Sequence, residues 1–61
     1  MTFEAEFVVN KETMNKVRFQ ELGPNGPMQD YDKKAKIGAL YISKNELPAK
    51  YSKVKVTVEI I

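Results

Sequence analysis

Near the end of this chain, in KVKVTVEII, residues 53–60 alternate without a break. Val54, Val56, Val58 and Ile60 fall on one side, and Lys55, Thr57 and Glu59 on the other. Successive side chains on a β-strand point to opposite faces, so this run predicts a strand over 53–60 with one buried face. Its β-branched residues suit a pleated surface.

The N-terminal stretch TFEAEFVVN repeats the pattern. Phe3, Ala5, Phe7 and Val9 share one face, with Glu4, Glu6 and Val8 opposite. After the polar NKETMN comes KVRFQEL, in which Val17 and Phe19 oppose Arg18 and Gln20. Two alternating runs joined by a short polar loop predict a β-hairpin, with strands over 3–9 and 16–21. The register that keeps apolar residues together pairs Val9 with Val17 and Phe7 with Phe19. It also sets Val8 against Arg18 and Glu6 against Gln20. A one-residue slip would turn Phe19 to solvent. Glu21 breaks the alternation, so the second strand is expected to end or bend near Gln20.

The run IGALYI has apolar or small residues on both faces and predicts a third strand over 36–42. A strand apolar all round needs cover on both sides. Either Ile37 and Tyr41 face the core, or Leu40 and Ile42 do. The following SKNEL has the form of a capping box, Ser43 with Glu46 three residues on, and Pro48 limits it to about one helical turn.

The segment GPNGPMQDYDKKAK, 23–36, has neither period. Its Gly and Pro cluster marks turns, and Pro24 and Pro27 argue against a central strand. Residues 23–28 are expected to form a mobile tip. Residues 31–36 should lead into the third strand, with Tyr31 packed on the sheet and Lys33 and Lys34 in solvent.

These elements define one small all-β domain over 1–61. It has a curved four-stranded, mainly antiparallel sheet, or a partly closed barrel, and at most one short helical turn. The expected core is Phe3, Phe7, Val9, Val17, Phe19, Ile37, Tyr41, Val54, Val56, Val58 and Ile60.

A chain of 61 residues buries only about 60 % of its unfolded surface and usually needs a staple. There is no Cys and no His, so disulfides and the commonest zinc ligands are ruled out. Self-association is the staple left, and homodimerisation is expected. No apolar run reaches the ~20 residues of a membrane span. The opening MTFEAEF has acids where a signal peptide would carry basic residues. The expected location is the cytoplasm.

Without His or Cys, the usual nucleophile–base pairs cannot be assembled, and a domain this small has little depth for a cleft. The chain is therefore expected to be neither an enzyme nor a binder of small molecules, cofactors or metals. Asp30 and Asp32 in QDYDKK lack the remaining ligands of a calcium loop, and Lys33 and Lys34 follow instead. GPNG lacks the Lys-Ser/Thr and helix of a phosphate loop.

Charge divides the chain. Residues 1–32 carry three basic side chains against six acidic ones, net −3, and residues 33–61 carry seven lysines against two acids, net +5. Lys33, Lys34, Lys36, Lys44, Lys50, Lys53 and Lys55, with Tyr31 and Tyr51 among them, are the candidate binding residues. Cations that follow phosphates and rings that stack on bases point to nonspecific nucleic-acid binding. Arg18 is the only arginine, so bidentate base readout is not expected. The same lysines would also keep strand edges soluble. The alternative is a protein-interaction or self-assembly module working through a strand edge.

Overall fold

A computed structural model describes residues 1–61. Five antiparallel strands form one open sheet: β1 (Thr2–Glu12), β2 (Lys16–Gly23), β3 (Gly26–Pro27), β4 (Ala39–Ser43) and β5 (Lys53–Glu59). Across the sheet β5 pairs with β1 and β1 with β2, while β2 pairs on its far side with both β4 and the two-residue β3. The sheet is thus four strands wide, as expected, and it does not close into a barrel. A single 3-10 turn, Lys44–Glu46, follows β4, with the Ser43 hydroxyl accepting from the Asn45 N–H at its start.

The hairpin register differs from the expected one by two residues. Val9 opposes Phe19 and Phe7 opposes Glu21. A slide of two keeps every face, so Phe7, Val17 and Phe19 still meet at the centre, all fully buried. Between Val9 and Lys11 the register shifts by one, which marks a β-bulge at Asn10. A bulge reverses the facing of the residues beyond it. Glu12 therefore comes opposite Val17, on the apolar face. There it accepts a 2.7 Å hydrogen bond from the Tyr51 hydroxyl and lies 3.7 Å from the Lys44 ammonium.

The second strand does not end at Gln20; it runs to Gly23 with Glu21 on the apolar face, 3 % exposed. The third strand begins at Ala39 rather than 36 and turns Leu40 and Ile42 inward, opposite Phe19 and Val17. Tyr41, opposite Arg18, is 56 % exposed and is not core. Ile60 lies past the end of β5 and is likewise exposed. Ala5 joins the buried cluster, and Val9, Ile37, Leu47, Tyr51, Val54 and Val56 pack against it.

Segment 23–38 continues from the end of β2 and is tied back to it by backbone hydrogen bonds. Gly23 pairs with Gly26 around a two-residue Pro24–Asn25 turn, so the turn-rich tip over 23–28 is a tight hairpin return. Pro27 fits because β3 is an edge. At Glu21 the ladder changes partner: its carbonyl accepts from the Met28 N–H (2.8 Å) and its own N–H donates to the Gly38 carbonyl (2.9 Å). Residues 29–37 make an excursion between these two points. Gly38 has φ +96°, and a Cβ there would stand 3.1 Å from the Asp30 carbonyl oxygen, so glycine is required.

Candidate functional site

Two neighbouring side chains hold the base of the excursion, one on each face of β2. On the polar face the Gln20 amide donates to the Met28 carbonyl, to Asp30 Oδ1 (2.6 Å) and to the Gly38 carbonyl (3.3 Å). Arg18 completes this network through Gln20 Oε1 (2.8 Å), Asn10 Oδ1 (2.7 Å) and Asp30 Oδ2 (2.8 Å). The Gln20 hydrogen bond and the Arg18 charge and hydrogen bond hold Asp30 below its ordinary pKa, against a smaller opposing effect of burial.

On the apolar face the Glu21 carboxylate accepts three consecutive backbone N–H groups, from Lys36 (3.0 Å), Ile37 (2.8 Å) and Gly38 (3.0 Å). Burial pushes the Glu21 pKa up. The three amides and the Lys36 charge together outweigh it, so the net direction is down. A carboxylate bonded to several backbone amides is stabilised in its charged form. In the sequence Glu21 marks a place where the second strand ends or bends. Its acid in an apolar phase was the signal of this buried junction.

The nine candidate binding residues do not form one patch. Lys34, Lys36 and Lys55 border a shallow groove at the open end of β1, together with Glu4 and Glu6. Lys36 Nζ donates to the Glu4 carbonyl (3.0 Å), and Lys55 Nζ lies 3.8 Å from Glu4 Oε1. Lys44 and Lys50 lie toward the other end of the sheet, beside Glu12 and Tyr51. Tyr51 packs on Phe19, with ring centroids 6.3 Å apart, instead of standing free. Its hydrogen bond to Glu12, with burial and the Glu12 charge, raises its phenol pKa. Tyr31 was expected to pack on the sheet but is 85 % exposed. Lys33 and Lys34 are exposed on the same excursion and form no ion pair. Lys53 opposes Val8 on the polar face.

A second feature is the outer side of β5. The bonds Val9 N–H to Ser52 O and Ile60 N–H to Met1 O fix the phase of the β1–β5 ladder. Hydrogen-bonded and non-hydrogen-bonded pairs alternate in an antiparallel ladder. Even-numbered residues of β5 therefore bond β1, and the backbone groups of Lys53, Lys55, Thr57 and Glu59 point outward with no strand beside them. The apolar face behind this edge is covered unevenly. Ile37, Leu47, Tyr51, Val54 and Val56 pack on the central cluster yet stay half-buried, and Phe3 and Val58, also half-buried, lie outside it.

No helix is long and apolar enough to cross a membrane. No family model, curated protein or solved structure matches the chain.

Proposed function

We propose that the chain is a non-catalytic protein-binding module whose contact surface is the outer edge of β5 and the half-covered apolar face behind it. The observation that carries this reading is a seven-residue strand with one unpaired edge beside three partly exposed valines. Such an edge accepts an extended segment by main-chain hydrogen bonds, with pockets for alternate side chains. The surface area points the same way. A compact monomer of 7.0 kDa exposes about 4,000 Å² by size scaling, and this chain exposes 4820 Å². The excess of about 800 Å² is what one partner contributes to a standard interface. Domains are normally built from two packed layers; here one sheet is only partly covered by its own connections.

Nonspecific nucleic-acid binding is the second reading. It is favoured by Tyr31, Lys33 and Lys34, which stand exposed on one excursion with no acid paired to either lysine. Amide-shift titrations separate the two. A peptide copying residues 53–59 should shift the β5 amides with little salt dependence. Short single- and double-stranded DNA at low salt should leave residues 31–36 still. Salt-reversible DNA shifts there, with silent β5 amides, would overturn the first reading in favour of the second.

A further inference from the structure

We infer that the segment accepted by β5 is β5 of a second copy, paired antiparallel about a twofold axis at Val56. This rests on the protein-binding reading and names its partner. A twofold interface must be self-complementary, and β5 meets that condition over its full length in one register. With Val56 opposite Val56, Lys53 faces Glu59, Lys55 faces Thr57 and Val54 faces Val58, each twice. Every outward residue then lies opposite an outward residue, so the unpaired N–H and C=O groups meet as hydrogen-bonded pairs. The polar and apolar faces also stay in phase across the junction. The valines of both copies form one stripe, and the sheet becomes eight strands wide.

The charges support this register. Lys53 and Glu59 form no ion pair within the chain, although both flank the exposed edge. Opposite charges facing each other across strands stabilise pairing, and like charges oppose it. Centring the axis on Lys55 would set Lys55 against Lys55. Centring it on Thr57 would set Lys55, already beside Glu4 in its own chain, against Glu59, but it would shorten the strand overlap to 55–59 and leave Lys53 opposite Ile61. Lysines on an edge ordinarily discourage pairing. Here a lysine at one end of β5 and a glutamate at the other favour the alignment that overlaps all seven residues of the strand.

The test is a charge exchange read by light scattering during size exclusion at submillimolar concentration. The wild-type mass should be about twice the 7.0 kDa of the chain. Lys53→Glu alone and Glu59→Lys alone each place like charges opposite one another twice, and each should weaken the dimer about tenfold or more. An equimolar mixture of these two variants restores two opposite-charge pairs and should run as a dimer. Circular dichroism of each single variant should match the wild type, which separates lost pairing from lost folding. Thr57→Pro removes an outward N–H and one exposed side-chain hydrogen bond to Glu4 (3.3 Å), and should give a folded monomer. A monomeric wild type, or single variants that dimerise as well as their mixture, would overturn the inference. If that monomer still shows β5 shifts with the 53–59 peptide, only self-pairing fails. If it shows none, the protein-binding reading fails with it.

Discussion

Replacing Glu21 by Gln should cost about 2 kcal/mol of stability, because it removes a charge that three backbone amides converge on. Glu21 is 3 % exposed, and Lys36, Ile37 and Gly38 donate to it at 2.8–3.0 Å. Hydrogen bonds to a charged group are worth about 1.5–3 kcal/mol, and an orphaned buried donor costs about 1–3 kcal/mol. Gln keeps one acceptor oxygen, so part of the set survives. Ala keeps none and leaves three donors unpaired, a loss of at least about 3 kcal/mol by the same figures. A domain of this length has about 3–9 kcal/mol in total, so Glu21→Ala should be largely unfolded.

The pH dependence isolates the charge. The folded-state pKa of Glu21 lies below its ordinary 4.5. Its contribution is therefore complete above that value and is lost as pH falls through the lower folded pKa. Asp30, also depressed, is present in both proteins and cancels in the comparison. Urea unfolding of wild type and Glu21→Gln should show the full gap at neutral pH and a narrowing gap in acid. A Gln variant within about 0.5 kcal/mol of wild type, the ordinary range for a surface change, would show that the Glu21 charge is not what holds the three amides. So would a gap that widens in acid.

Three further outcomes follow from the same contacts. Gln20→Leu strips the polar-face clamp and leaves the Met28 carbonyl without its side-chain donor, while the Gly38 carbonyl keeps the Glu21 N–H; a loss of about 1–3 kcal/mol is expected, with faster amide exchange at Met28 checking the local origin. Gly38→Ala forces a positive-φ backbone and a 3.1 Å approach to Asp30, so chemical denaturation should show a loss of about 1–3 kcal/mol. The Tyr51 phenol should titrate above 10.0, and ultraviolet titration of Glu12→Gln should bring it back down, because the hydrogen-bonded carboxylate is gone.

Periodicity made β1, β2 and β5 legible because each has one buried face, and a period of two records that directly. Val54, Val56 and Val58 show this most simply. The register was less legible, because aligning Phe7 with Phe19 maximises apolar pairing while the chain sets Phe7 against Glu21. That pairing is tolerable only because amides 15–17 residues away satisfy the carboxylate. A local pattern does not contain those partners. The bulge at Asn10 was hidden for the same reason: Asn10 is held by Arg18, eight residues on. Both facings of IGALYI were open in the sequence. The β2 contacts chose Leu40 and Ile42 and left Ile37 and Gly38 to close the excursion. The lysines were legible as a count and not as a surface. Lys36 and Lys55 fold back onto Glu4, and Lys44 onto Glu12, from distant parts of the chain. The edge of β5 was visible as a strand, but its exposure depends on which strand closes the sheet, and that is a property of topology.

Amide hydrogen exchange along β5, followed as a function of protein concentration, tests the self-pairing edge most directly. The N–H groups of Lys55 and Thr57 point away from β1, so nothing within one chain protects them, whereas those of Val54, Val56 and Val58 are bonded to β1. Lys55 and Thr57 should become protected as concentration rises and lose that protection on dilution, while the valine amides stay protected throughout. Lys55 and Thr57 amides that exchange freely at every concentration would contradict self-pairing.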